Sequence, residues 1–363
     1  RVGDELVQAY VAAASQVGVV PSERSVVAAY TAMHGVGAGT IRRAFAAAGF
    51  APVVEVEQQV EPDPDFPTVA FPNPEEPGAL DLGIATAAAA GADILLANDP
   101  DADRLGAAVP DPTAPSRWRS LRGDEIGAVL AHHLVSSGGI ADDAVLATTI
   151  VSSTLLGKIA AAAGRPFVET LTGFKWLGRA ADPGGQLGFA YEEALGFCAG
   201  GLVRDKDGVT AALLLAEAAA VQKRDGRTLL HVLDDLAVEH GVHQTVQWSA
   251  RVAGTDAMDQ MTAAMDRMRR TPPTELAGRA VQRIDDLIDG DAARGFAPSD
   301  VLTWYLADAR IVVRPSGTEP KLKAYVEVVE PVAERGDLVA ARKRATAALE
   351  QLVAATAAAT GLA

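Results

Sequence analysis

The chain has 363 residues, with 32 Lys and Arg against 47 Asp and Glu and a formal net charge of −15, too acidic for an unaided nucleic-acid or anionic-membrane binder, which needs a basic field at its contact surface. Half the residues are hydrophobic and 22% are charged, which excludes wholesale disorder, and at roughly 150 residues per domain the length predicts two or three domains. The single cysteine, Cys198, excludes an internal disulfide and a multi-thiolate metal site and fits a reducing cytoplasm.

The chain opens at Arg1 without a Met, as expected of a processed or excised fragment. Residues 26–30 predict a strand, 39–48 a helix, 80–90 a second helix and 93–97 a buried strand, which is a β-α-β rhythm. Residues 61–77 are crowded with Pro and acids and predict a long loop. The most apolar stretch, 83–97, is too short for a membrane span and carries Asp93. A Pro-rich connection at 110–115 precedes Leu121-Arg122-Gly123-Asp124-Glu125, with Asp124 expected to cap a helix running to Leu134.

The rhythm then repeats, with a strand at 145–150, a helix at 153–163 and a strand at 167–170. After the Gly-rich stretch at Gly184, helices are predicted at 209–222 and 228–240. From His243 onward the pattern gives a strand, a helix at 256–269, several strands through Val329 and an Ala-rich helix from Leu338. Met258, Met261, Met265 and Met268 follow helical spacing and are expected to fill a core. The expected architecture is α/β: two successive α/β domains, 1–120 and 121–241, with mixed sheets and helices on both faces, followed by a smaller α+β C-terminal domain, 242–363.

Four constellations carry chemistry. The sharpest is Asn98-Asp99-Pro100-Asp101-Ala102-Asp103-Arg104, directly after a predicted strand. Alternate residues of an extended loop face one side, so the three Asp are expected to converge. Two carboxylates about 4 Å apart repel by roughly 4 kcal/mol at an effective dielectric near 20. A hard divalent cation with oxygen ligands removes that conflict, and Mg²⁺ is the default for phosphate chemistry. An EF-hand is excluded, because its glycine position is Arg104 and its final Glu position is Pro110. A phosphatase of the haloacid dehalogenase type, with Asp99 as nucleophile, stays open, as does a solvated acidic turn.

The second constellation, Arg314-Pro315-Ser316-Gly317-Thr318, lies between two predicted strands. Arg offers a planar fork, the hydroxyls offer donors and Gly lets backbone amides approach an anion; a polar hairpin turn is the alternative. Third, Lys175 in Thr172-Gly173-Phe174-Lys175-Trp176 is suited to holding a phosphate or moving a proton, and the pair Glu192-Glu193 to gripping vicinal hydroxyls. Arg204 and Lys206 nearby add two cations for a substrate phosphate, or form a salt-bridged turn. Fourth, His34-Gly35-Val36-Gly37-Ala38-Gly39 superficially suggests dinucleotide binding, but its glycine spacing and missing acidic partner favour a tight turn. His132 and His133 would point about 100° apart on a helix and make a poor metal pair.

Taken in this order, the motifs resemble the α-D-phosphohexomutase superfamily, which includes phosphoglucomutases, phosphomannomutases and related phosphopentomutases, over essentially the whole chain. The resemblance matches Asp99, Asp101, Asp103 and Arg104 to a metal loop, Glu192 and Glu193 to a sugar-recognition loop, Lys175 to a basic residue near the reacting phosphate, and Arg314, Ser316, Gly317 and Thr318 to a phosphate loop. The family's first domain, whose phosphoserine shuttles the phosphoryl group, has no counterpart in these residues, so the chain looks like domains two to four. Ala194 stands where many hexose mutases carry Ser, closer to the phosphoglucomutase and phosphopentomutase branch. The resemblance implies a cytoplasmic, Mg²⁺-dependent mutase acting on a sugar phosphate through a sugar bisphosphate, with no nucleic-acid or membrane partner. It also implies an inactive fragment in the absence of that first domain, or a non-catalytic sugar-phosphate binder.

Overall fold

The computed structural model describes residues 3–252, 254, 256–316 and 320–362. The chain divides into two compact units, one of residues 1–149 and 156–233 and the other of residues 150–155 and 234–363. No helix among the described residues is long and apolar enough to cross a membrane.

In the first unit α1 (Asp4–Ala14) leads to β1 (Ala28–Thr31), α2 (Ala38–Ala47), β2 (Val54–Glu55), α3 (Asp81–Ala89), β3 (Ile94–Ala97), β4 (Gly106–Pro110) and β5 (Trp118–Leu121). The sheet order is β2-β1-β3-β4-β5, with β1 parallel to both β2 and β3 and the last two pairings antiparallel. Because β1 sits between the strands that follow it, the two crossovers run in opposite directions along the sheet. Their common right-handedness puts α2 and α3 on opposite faces. The carboxyl ends of β1 and β3 therefore flank a switch point, where a crevice opens in sheets of this kind. Ala29, Leu95, Ala97, Ala108 and Trp118 pack with α3 residues on one face.

A second sheet follows the same plan. After α4 (Gly123–Ser136) come β6 (Val145–Thr149), α5 (Leu155–Ala162), β7 (Phe167–Thr170), the short α6 (Phe174–Leu177), β8 (Leu187–Glu192), β9 (Gly196–Ala199) and α7 (Gly208–Arg224). The order is β7-β6-β8-β9, parallel except for β9. Its switch point lies at the ends of β6 and β8.

Several expectations are corrected. α1, β4, β5, β8 and β9 lie where the sequence pattern predicts no element, because runs such as Gly-Ala-Ala-Val are short, small and buried on both faces, without alternation. Asp124 does not cap α4. The N-cap position is Arg122, whose backbone amide donates to the Glu125 carboxylate at 3.0 Å, and Asp124 is buried, accepting from the Tyr191 hydroxyl at 3.1 Å.

The helix α8 (Leu229–His240) precedes the second unit's sheet, formed by β10 (Val242–Arg251), β13 (Arg283–Asp286), β14 (Leu302–Tyr305), β15 (Ala309–Pro315) and β16 (Lys321–Glu330), with α9 (Ala257–Arg270), the small hairpin β11 (Glu275–Leu276) and β12 (Arg279–Ala280), and α10 (Leu338–Thr360). The order β10-β16-β15-β14-β13 is antiparallel throughout. Alternate residues Leu322, Ala324, Val326 and Val328 of β16 join Trp304, Ile311 and Val313 in one core with Met265 and Met268. Met261 is also buried, but Met258 is 60% exposed: the helix keeps its apolar stripe past the edge of the surface it covers.

Candidate functional site

The acid loop leaves β3 at the switch point and is a turn, not the extended segment expected from alternation. Ala102 N donates to Asp99 O at 2.9 Å and Ala102 itself takes a left-handed φ of 61°. Folding the chain back this way still brings the three carboxylates together: ligand oxygens of Asp99, Asp101 and Asp103 lie within 4.8 Å of one another. Octahedral Mg²⁺ with oxygens at about 2.1 Å places opposite ligands about 4.2 Å and adjacent ones about 3.0 Å apart, so the three carboxylates would have to draw inward to close on the ion. The donors are hard oxygens, as that ion requires.

Two side chains that the sequence reading passes over hold the loop's ends. Asn98, fully buried, donates to Arg104 O at 2.6 Å and accepts from the Tyr30 hydroxyl at 2.9 Å. The only sequence signal for this brace is the position of Asn98 directly ahead of the acidic repeat. Burial, reinforced by Asp101 and Asp103, pushes the Asp99 carboxyl up to about 6, against one backbone hydrogen bond from Arg104. The Arg104 guanidinium stands 3.5 Å from Asp99 and 4.0 Å from Asp103. The metal-free loop thus carries a charge conflict that a cation relieves.

The Glu pair arrives from the second sheet. β8 and β9 form a hairpin with Glu192 opposite Gly196, and the three-residue tip, Glu193-Ala194-Leu195, closes through Leu195 at φ 64°. Arg104 and Gly196 form a β-bridge, and Leu105 N donates to Leu195 O at 3.0 Å, so hairpin and acid loop are bonded backbone to backbone. Burial raises the Glu192 carboxyl, against the pull of Lys206 and Arg104. Glu193 accepts from the Thr149 hydroxyl at 3.3 Å.

Lys206 lies 3.0 Å from Asp103, with its ammonium 5.6 Å from the centre of the Phe174 ring. Burial pulls it down, but Asp103, Glu192 and Asp205 together outweigh that and raise it, so it stays charged. Lys175 is exposed on α6, 5.5 Å from the Trp176 ring centre. Arg204 is exposed and pairs with Asp182 at 3.3 Å, which turns it toward a surface partner. A pocket of about 380 Å³ opens beside the loop, with Leu6, Val7 and Tyr10 of α1 on one wall and Asp101, Asp103 and Lys206 on the other.

In the second unit, Arg314 and Ser316 sit at the end of β15, where Ser316 N donates to Lys321 O at 2.8 Å. Gly317 and Thr318 lie outside the described residues. The His34–Gly37 segment is a tight turn, with His34 and Met33 both at positive φ, and His133 pairs with buried Glu217 at 2.8 Å, as a structural histidine does.

Three models of phosphoglucomutase/phosphomannomutase match the chain: α/β/α domain II over residues 8–112, α/β/α domain III over 122–237 and the C-terminal domain over 265–345. A protein named "probable phosphomannomutase" from Haemophilus influenzae is 40% identical over 326 residues, covering 89% of this chain and 64% of its own. Mouse phosphopentomutase is 36% identical over 337 residues, at 86% and 54% coverage, and a Staphylococcus aureus phosphoglucomutase 32% over 330, at 87% and 59%. The chain thus spans between half and two thirds of the length of these relatives. Among solved structures, the open form of Paramecium parafusin, a phosphoglucomutase, superposes with a TM-score of 0.68 at 20% identity, covering 99% of this chain and 62% of that one.

Proposed function

Because the chain belongs to the phosphoglucomutase/phosphomannomutase family, we propose that it supplies the metal, sugar and phosphate sites of a Mg²⁺-dependent sugar-phosphate mutase. The carrying observation is the convergence, in one unit, of three carboxylates within 4.8 Å, a charged lysine 3.0 Å from one of them and a hairpin bearing adjacent glutamates. Asp99, Asp101 and Asp103 hold the ion, which when bound neutralises charge on a transferring phosphoryl group. Arg104 adds a fixed positive charge to the same group, which is where most phosphoryl-transfer catalysis resides. Glu192 and Glu193 accept hydrogen bonds from vicinal sugar hydroxyls. Lys206 meets substrate phosphate beside Asp103, and Arg204 joins it by giving up Asp182. Lys175 holds a phosphate or assists proton transfer, and Arg314 with Ser316, Gly317 and Thr318 grips the non-reacting phosphate.

The phosphoryl group is carried by a phosphoserine outside the three matched domains, and the sugar bisphosphate is the intermediate. Relatives bearing phosphomannomutase, phosphopentomutase and phosphoglucomutase names leave hexose and pentose both in play. Family membership supports mutase chemistry over a phosphatase with Asp99 as nucleophile. Calorimetry and a coupled assay on the 363-residue chain test the proposal together. Glucose 1,6-bisphosphate should bind, glucose should not, and the chain alone should convert no glucose 1-phosphate to glucose 6-phosphate. Turnover by the chain alone, or release of inorganic phosphate, overturns it.

A further inference from the structure

The acid loop touches neighbouring backbone so closely that, at two positions, even a methyl group has no room. A Cβ on Gly35, in the turn after β1, would lie 2.3 Å from Pro100 Cα and 2.4 Å from Pro100 O. The next amide, Val36 N, donates to that same oxygen at 2.8 Å. On the other side, a Cβ on Gly208, the first residue of α7, would lie 2.3 Å from Arg104 O, 2.5 Å from Asn98 Nδ2 and 2.7 Å from Ala102 O. These are main-chain and brace atoms of the loop, not the free ends of flexible side chains, so they cannot step aside without moving the carboxylates.

Neither contact follows from the role of the glycine in its own element. Neither Gly35 nor Gly208 has a positive φ, so a side chain is permitted by the local backbone. Gly208 is helical, where Ala is ordinarily favoured by up to about 1 kcal/mol. The α7 terminus is independently secured: Asp207 accepts from Val209 N and Thr210 N at 3.0 and 3.2 Å and from the Tyr10 hydroxyl at 2.7 Å. A helix terminus held in place by its own cap and a turn that follows its own strand both press on the backbone of the acid loop.

We infer that Gly35 and Gly208 are positioning residues for the metal loop, two walls of a backbone socket that fixes the spacing of Asp99, Asp101 and Asp103. The inference rests on the proposed metal role of the loop. A cation drawing those oxygens from 4.8 Å toward octahedral spacing needs a loop that closes without shifting bodily, and the socket supplies that restraint. It also gives a purpose to the Gly-x-Gly turn, which carries no dinucleotide fingerprint.

Mn²⁺ binding to the intact chain, followed by the loss of the free-ion electron paramagnetic resonance signal, tests this alongside thermal midpoints in chelator. Gly208→Ala should weaken Mn²⁺ at least tenfold while the metal-free chain still unfolds cooperatively, its midpoint lowered by the overlap. Gly39→Ala is the control: Gly39 lies in α2 with open space around its Cβ position, so it should keep wild-type Mn²⁺ affinity. Wild-type affinity in Gly208→Ala overturns the socket and leaves the metal site standing. No Mn²⁺ binding by the wild type overturns the metal role itself, and the socket with it. Should Gly208→Ala fail to fold, Gly35→Ala, whose Cβ would lie 2.4 Å from Pro100 O, decides by the same titration, with a tenfold loss supporting the socket and unchanged affinity overturning it.

Discussion

Two buried carboxylates of this molecule behave in opposite ways. Asp99 in the first unit has its carboxyl pushed up to about 6, whereas Glu327 on β16 is held down at about 2. Both pay for burial. Glu327 is repaid by the Ser153 hydroxyl at 2.6 Å, the Thr154 amide at 2.9 Å, His243 Nδ1 at 2.9 Å and the Arg310 guanidinium at 3.4 Å. Asp99 receives one amide at 3.1 Å and the Arg104 guanidinium at 3.5 Å, and faces two further acids. A buried charge whose donors are all supplied by the fold belongs to the fold, and one left among its own kind is a candidate ligand site.

The largest expected effect is on the satisfied side. Removing one partner of a buried charge cluster strands the others, so Glu327→Ala should destabilise by about 3 to 5 kcal/mol, read by urea unfolding. Glu327→Gln then isolates the charge. The folded group titrates near 2, below its ordinary 4.5, so its contribution of roughly 3 kcal/mol is complete above pH 4.5 and fades as pH falls toward 2. The gap between wild type and Glu327→Gln should therefore be wide at pH 7 and narrow steadily below pH 4.5. A gap independent of pH would show that packing, not charge, holds the cluster.

On the unsatisfied side the effect moves from stability to binding. Asp101 is exposed, so Asp101→Ala should leave unfolding within about 0.5 kcal/mol of wild type while Mg²⁺ affinity, measured by calorimetry, falls by about two decades, or about 2.7 kcal/mol. Unchanged affinity would return the loop to a solvated acidic turn. The smallest effect has the opposite sign to that of Glu327. Because the folded Asp99 group titrates above its ordinary 3.8, the metal-free protein loses stability as pH rises from about 4 to 6, and ionised Asp99 is a cost at pH 7.5. Asp99→Asn should accordingly raise the chelated protein's stability by about 1 kcal/mol, a melting shift of a few degrees or less. A lower melting temperature would mean that the carboxylate is as well satisfied as Glu327.

The same contrast marks what the sequence discloses. An acidic repeat with no nearby basic run is unusual enough to read directly, and so is a β-α-β rhythm built on apolar runs and glycine stops. The way the acids converge is not legible, because it depends on Ala102 adopting a left-handed turn that any sequence rule assigns to Gly or Asn. The hairpin of Glu192 and Glu193 is hidden for a similar reason: Leu-Gly-Phe-Ala-Tyr is buried along its length and shows no period of two. The Glu327 cluster joins residues more than 170 positions apart, and no local pattern announces such a partner. Periodicity identified the face of α9 correctly for three methionines and failed at Met258, since a stripe says nothing about where the neighbouring surface ends.

The bridge between Arg104 and Gly196 divides the sequence into positions that are free to change and positions that are not. Its hydrogen bonds are main chain to main chain, so they are indifferent to side chains at the three-residue tip, yet they carry any displacement of residues 195 and 196 into the acid loop. Substitutions at Glu193 or Ala194 change the side chains that the hairpin presents while Asp99, Asp101 and Asp103 stay in register, whereas an insertion or deletion of one residue in the tip shifts both at once. Diversification of this site should therefore proceed by exchanging residues at constant hairpin length, and a library varying 193 and 194 should yield altered ligand preference far more often than one varying loop length.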